Sequence, residues 1–140
     1  MKAIYTASAS AKGGRHGAVA TSDGKLSLSL TRPVEMGGDG SGTNPEQLFA
    51  CGYAACFAST IQFLSKQKKL ELGPIEVTAR VSLGKLDGEG YGLAAELDVA
   101  LPGVELSIAE AIVEQAKRNC PYSNATRGNV ETRVTIVQAG

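Results

Sequence analysis

Residues 44–65, NPEQLFACGYAACFASTIQFLS, decide how the chain folds. Asn44 is a good N-cap, Pro45 suits the first helical position, and Gln47 is placed for a capping box, so a helix begins here. From Gln47 to Ser65 there is no charged side chain. This run of about 19 residues is long enough for a membrane span, but its Gln, Gly, Ser and Thr favour a helix that protein buries on all sides. We therefore expect a central core helix and no membrane contact.

The composition is that of an ordinary globular protein. The chain has 140 residues, which predicts a single domain over residues 1–140. Lys plus Arg number 14 and Asp plus Glu number 14, so no net charge attracts the chain to nucleic acid. The first residues lack the apolar run of a secretory signal, and three cysteines are an odd number for a disulfide framework. Both features favour a cytoplasmic protein.

Alternation of apolar and polar residues on either side of this helix predicts strands. A second helix is expected from the capping box at Ser107, with Ile108, Ile112, Ala116 and Cys120 at helical spacing and Pro121 ending it. The resulting order is βββ-α-ββ-α-β, an α+β fold with two long helices against antiparallel sheet. The predicted strands cover residues 2–8, 18–21, 26–30, 75–83, 93–101 and 130–136.

The first helix is apolar nearly all the way round between Leu48 and Ala58. Two helices and six strands of so small a chain can hardly cover every face of it. A homodimer in which the helix packs against its own copy would cover the remaining faces.

Cysteine is the best candidate for chemistry. His16 is the only histidine, no CxxC pair occurs, and no nucleophile elbow is present, so a zinc site and a hydrolytic triad are both poorly supported. The glycine-rich run 37–42 lacks the Gly-Lys-Ser/Thr ending of a phosphate loop. Cys56 within the first helix and Cys120 before Pro121 could be an attacking and a resolving thiol. Taken alone, a thiol in a buried helix is more often a small core residue, so both could instead be structural thiols of a ligand-binding or scaffold protein.

Three segments resemble the organic hydroperoxide resistance (Ohr) proteins of the OsmC-like superfamily. They are GTNPEQLF at 42–49, GYAACF at 52–57 and CPYSNATRGNV at 120–130. The turn Gly13-Gly14-Arg15 and the segment 97–104 are similar as well. The resemblance covers essentially the whole chain and implies the Ohr fold, an intertwined homodimer.

The resemblance also implies roles for four residues. Cys56 corresponds to the peroxidatic thiol, Cys120 to the resolving thiol, and Arg15 and Glu46 to the charged pair that supports them. Arg15 would stabilise the thiolate, and Glu46 would hold Arg15 in place.

Two positions depart from the family pattern. His16 stands where Asp is usual, and Cys51 stands where Ala is usual. We interpret Cys51 as a core substitution of nearly alanine size.

The implied activity is that of a thiol-dependent peroxidase without haem, flavin or metal. Alkyl or fatty-acid hydroperoxides would oxidise Cys56 to a sulfenic acid, and Cys120 would close a disulfide. A dithiol reductant, by resemblance a lipoylated protein, would regenerate both thiols. The alternatives are an OsmC-type peroxidase with another reductant and a non-catalytic scaffold.

The spacing of Glu46 and Cys56 bears on where the site lies. The two residues are ten positions apart in one helix, a separation of roughly 15 Å along its axis. If one arginine contacts both, the glutamate beside a given Cys56 belongs to a second copy of the helix. We therefore expect composite sites at a dimer interface.

Overall fold

The structure, a computed structural model, describes residues 1–137 of the chain. It divides into two compact units, Met1–Leu48 and a second that begins at Phe49. The boundary falls within the first turn of helix α1, Pro45–Gln67. A single domain over residues 1–140 stays a prediction.

The first unit is a small antiparallel sheet. Its strands β1, β2 and β3 pair in that order, and 3₁₀ turns lie at Gly14–His16 and Val34–Met36. The strand predicted over residues 2–8 is wrong, because β2 is short and pairs only with the chain from Ala9 onward. Ile4 and Tyr5 are exposed instead. The strand bounds are β1 Ala9–Lys12, β2 Ala18–Thr21 and β3 Ser27–Ser29.

Backbone hydrogen bonds return the loop after β3 to the sheet just before α1 begins. The N–H of Thr43 donates to the Ser29 carbonyl (2.9 Å), and the N–H of Thr31 donates to the Thr43 carbonyl (3.0 Å). The N–H of Leu30 donates to the carbonyl of Gly17 (2.8 Å), which follows the first 3₁₀ turn. These bonds fix the start of α1 close to that turn.

The predicted cap of α1 is confirmed. The N–H of Gln47 donates to Asn44 Oδ1 (2.9 Å), and Pro45 is the first helical residue. The capping box does not close, because Gln47 Oε1 accepts instead from the Thr43 hydroxyl (2.8 Å).

One face of α1 is buried, and its opposite face is open in the single chain. The buried apolar residues are Tyr53, Phe57, Ile61 and Leu64, whereas Phe63 is 60% exposed. By length and composition α1 could cross a membrane, with a mean hydropathy of 1.4 and 33% of its apolar window buried. Core helices of soluble proteins pass the same test, and the buried stripe is typical of one.

The second unit holds a mixed sheet in the order β4-β5-β6. The strands β4 and β5 are antiparallel, but β6 pairs in parallel with β5. Parallel neighbours need a crossover connection, and helices α2 and α3 form it. The bounds are β4 Glu76–Lys85, β5 Tyr91–Ala100, α2 Leu106–Asn119, α3 Pro121–Thr126 and β6 Glu131–Ile136.

Helix α2 begins earlier than its sequence pattern indicates. Its N-cap is Glu105, whose carboxylate accepts from the N–H of Ser107, so the predicted cap at Ser107 is wrong. Ile108, which the spacing groups with Ile112, is 39% exposed, and Ala109 is buried instead. Pro121 ends α2 as predicted, but it also begins α3, which the sequence analysis did not foresee. The buried face of α2 consists of Ala109, Ile112, Val113 and Ala116.

Substitutions on α2 test this placement of its buried face. Ile112 is 1% exposed and lies in the core with Leu97 and Val99. Ile112→Ala should lower the free energy of unfolding by about 2–5 kcal/mol, because it leaves a cavity. Ile108→Ala, one turn earlier, should cost less than about 1 kcal/mol. Urea unfolding of both variants measures the difference, and equal losses would contradict the assigned face.

Candidate active site

Two cysteine sulfurs of the second unit lie in contact. Cys120 Sγ is 3.5 Å from Cys56 Sγ and donates a hydrogen bond to it. Cys120 is fully buried, whereas Cys56 is partly exposed. The two predicted cysteines are therefore adjacent, with Cys56 partly exposed and Cys120 buried.

Cys120 occupies the junction of two helices. Its N–H donates to the Ala116 carbonyl (2.8 Å) and so belongs to α2, while its own carbonyl accepts from the N–H of Asn124 (2.9 Å) in α3. Pro121 can follow because the first helical position needs no N–H donor. Backbone hydrogen bonds to both α2 and α3 thus hold Cys120 in place.

The pKa of the Cys56 thiol is raised. Burial is the largest cause, and a backbone hydrogen bond from Tyr122 acts in the opposite direction. Burial disfavours the thiolate, whereas an N–H donor favours it. The sequence did not predict that the N–H of Tyr122 would lie beside Cys56, because α3 was not predicted.

A cavity of about 300 Å³ opens beside Cys56. Phe63 lies on its wall, two turns after Cys56 on α1. A cavity of this size, with one cysteine and an aromatic wall, suits a small organic molecule. Its lining residues are Cys56, Ser59, Thr60, Phe63, Asn119 and Pro121.

The first unit holds a two-pronged ion pair. Arg15 Nη1 donates to Glu46 Oε2 (3.0 Å), and Arg15 Nη2 donates to Glu46 Oε1 (2.7 Å). Arg15 lies in the turn after β1, where Gly13 and Gly14 have φ of 77° and 55°, a conformation that favours glycine. Such a pair fixes the plane of the guanidinium.

This pairing shifts both pKa values. Hydrogen bonds from Arg15 hold the pKa of Glu46 below its usual range, and hydrogen bonding to Glu46 raises the pKa of Arg15. A carboxyl with a lowered pKa stabilises the folded state above its unfolded pKa, and that contribution is lost as pH falls through the folded value. The pair is therefore intact at neutral pH.

The sequence-predicted residues thus form two pairs. Cys56 and Cys120 belong to the second unit, and Arg15 and Glu46 belong to the first. Cys51 is exposed, so its interpretation as a core residue is wrong for the single chain. Cys51 lies on the open side of α1, away from the buried stripe of Tyr53, Phe57, Ile61 and Leu64. Within residues 1–137, no group of three or more His, Cys, Asp or Glu side chains could hold a metal ion.

Known proteins match nearly the whole chain. Residues 38–135 match the family model described as OsmC-like protein. The organic hydroperoxide resistance protein of Xanthomonas axonopodis pv. citri is 45% identical over 137 residues, with 96% of each chain covered. The organic hydroperoxide resistance protein OhrA of Bacillus subtilis is 42% identical over 138 residues, which cover 96% of this chain and 97% of OhrA.

A solved structure is similar to this chain over nearly its whole length. The crystal structure of an organic hydroperoxide resistance protein from Legionella pneumophila has a TM-score of 0.93 at 47% identity, covering 96% of this chain and 98% of that one. The resemblance inferred from the motifs and the α+β fold are both confirmed. The chain belongs to the OsmC-like family, among the organic hydroperoxide resistance proteins.

Proposed function

We propose that the protein is a cysteine-based peroxidase that reduces organic hydroperoxides to alcohols. The observation that carries the proposal is the 3.5 Å contact between the sulfurs of Cys56, a residue that lines a cavity, and Cys120, which is buried. An attacking thiol must be accessible, and a resolving thiol must be within reach. The names of the relatives point to the same class of substrate.

The proposed reaction has three steps. The Cys56 thiolate attacks one peroxide oxygen, the O–O bond breaks, and the second oxygen leaves with a proton as the alcohol. Cys56 is then a sulfenic acid. The Cys120 thiol attacks its sulfur, forming the S–S bond and releasing water. An external dithiol, for which we propose a lipoylated protein, reduces the disulfide by exchange.

Arg15 supplies the charge that a desolvated thiolate needs. Burial alone raises the pKa of Cys56, so the thiolate requires a cation or further donors. A guanidinium has five N–H groups. Two of those of Arg15 bond Glu46, so others remain to bond the sulfur or the peroxide oxygen. In the proposal, Glu46 orients Arg15 and does not act as the base.

The arginine next to each thiol comes from the partner chain in this proposal. Glu46 and Cys56 are ten residues apart on α1, a separation of roughly 15 Å along the helix axis. A second copy running the opposite way would bring its Glu46 and Arg15 beside Cys56. It would also cover the open face of α1, where Cys51 and Ala55 are exposed. We accordingly propose a cytoplasmic homodimer that takes alkyl or fatty-acid hydroperoxides.

Serine variants test the two thiol roles. Cys56→Ser should abolish consumption of cumene hydroperoxide, because a hydroxyl does not ionise there. Cys120→Ser should complete one turnover and then leave Cys56 as a sulfenic or more oxidised acid. Cys51→Ser is the control and should behave as wild type. Thiol titration and intact-mass measurements give the outcome, and full turnover by Cys120→Ser would refute the assignment of the resolving thiol.

Arginine variants test the two-pronged contact. Arg15→Lys keeps the charge but loses the planar fork, so peroxidase activity should fall about tenfold or more. Arg80→Lys is a matched control, because Arg80 also contacts two carboxylates, Glu96 and Asp98, on the β4–β5 surface. Steady-state assays should show no change for the control. Equal activity of both variants would exclude a role for the fork.

Mixed dimers test the composite site. A Cys56→Ser chain and a Glu46→Ala chain are each inactive or impaired as homodimers. In a heterodimer of these two chains, one site holds both an intact Cys56 and an intact Glu46 only if the Cys56 and the Glu46 of each site belong to different chains. Activity should therefore recover to about half of the wild-type value per dimer after subunit exchange, since one of two sites is intact. No recovery in verified heterodimers would place both residues of a site in one chain.

A further inference from the structure

The hydroxyl of Tyr53 joins the helices that carry the two sulfurs. Tyr53 lies on α1 one turn before Cys56, and it is 1% exposed. Its Oη is 2.9 Å from Ser123 Oγ and 3.3 Å from Thr126 Oγ1, both on α3. Helix α3 starts directly after Cys120. The hydroxyl cluster therefore ties the segment after Cys120 to the helix of Cys56.

The three hydroxyl-bearing residues of the cluster are buried and bond one another. Ser123 and Thr126 are 8% and 4% exposed, and the Thr126 hydroxyl also lies 3.2 Å from the Ser123 carbonyl. A buried hydroxyl without a partner is costly, so each member holds the other two in place. Displacement of α3 relative to α1 would break these bonds.

We propose that Tyr53 is a positioning residue for disulfide formation, holding Cys120 within reach of Cys56 through the hydroxyls of α3. The inference rests on the proposed function and concerns its second step. In that step the Cys120 sulfur displaces the oxygen of the Cys56 sulfenic acid, so that one S–S bond forms, one S–O bond breaks and water leaves. Reacting atoms about 3–3.5 Å apart are in near-attack geometry, and the sulfurs are 3.5 Å apart.

Oxidation of Cys56 by the first hydroperoxide does not use Cys120. The sulfenic acid then has two fates, which are attack by Cys120 and further oxidation to sulfinic acid by a second hydroperoxide. The ratio of disulfide to sulfinic acid therefore measures positioning directly. A general loosening of the cavity would slow the first oxidation as well, whereas misplacement of Cys120 changes the ratio.

The Tyr53→Phe variant removes the hydroxyl and keeps the ring. The ring contacts Phe49 and Tyr122, with centroids 6.2 Å and 5.7 Å away, and these contacts remain. After rapid mixing with excess cumene hydroperoxide, intact-mass analysis should show a disulfide-to-sulfinic ratio about tenfold lower than in wild type, the factor that one hydrogen bond supplies. Tyr91→Phe, whose ring is 72% exposed, is the control and should keep the wild-type ratio.

A second variant covers the case in which Tyr53→Phe does not fold. Ser123→Ala removes the nearer partner and should lower the ratio in the same direction. Where both variants fold, the double variant should be no worse than Tyr53→Phe alone, because Tyr53→Phe already removes the bond to Ser123. An unchanged ratio in folded Tyr53→Phe, or in Ser123→Ala if the first does not fold, overturns the inference. If the wild-type chain itself forms no Cys56–Cys120 disulfide, the proposed function fails, and the inference fails with it.

Discussion

Burial of one stripe of α1 is the constraint on which the rest of the structure depends. Tyr53, Phe57, Ile61 and Leu64 lie in the same core as the apolar residues of β5 and α2. This stripe fixes the rotation of α1 about its axis, because turning the helix would expose all four side chains. Cys56 directly precedes Phe57, so its sulfur lies at the edge of the core. It is partly desolvated there and still borders a cavity.

The position of Cys56 at the edge of the core disfavours its thiolate, and it limits which side chains could stabilise that thiolate. Desolvation raises the pKa of the Cys56 thiol, and one N–H from Tyr122 only partly opposes the effect. A lysine would bring a strongly hydrated charge, whereas a guanidinium is weakly hydrated and keeps its geometry when desolvated. The Arg15–Glu46 pair provides a guanidinium whose plane is already fixed. In the proposed site, this guanidinium would supply the positive charge that the Cys56 thiolate lacks.

The sequence was informative where local rules act alone. Asn44 and Pro45 located the start of α1, and alternating residues located β5, whose inward positions are buried.

The helix α3 was missed because a proline after a helix usually ends it, and only tertiary structure shows that a second helix begins there. The shift of the α2 cap to Glu105 and the absence of a strand at 2–8 have the same origin. Tertiary contacts, and not the spacing of residues in the sequence, determine which residue caps a helix and which segments pair as strands. The cluster around Tyr53 joins residues about 70 positions apart, which no local pattern encodes.

The junction at Cys120 determines how long an oxidised Cys56 would persist. The backbone of Cys120 is held by Ala116 on one side and Asn124 on the other, so side-chain torsion is the freedom that remains. Closing the gap between the sulfurs from 3.5 Å to a bond of about 2.05 Å then requires no helix to unwind. Side-chain rotation is far faster than loop rearrangement. In the proposed reaction, an oxidised Cys56 therefore waits only for rotation of the Cys120 side chain, and the folded backbone around Cys120 limits its exposure to a second hydroperoxide.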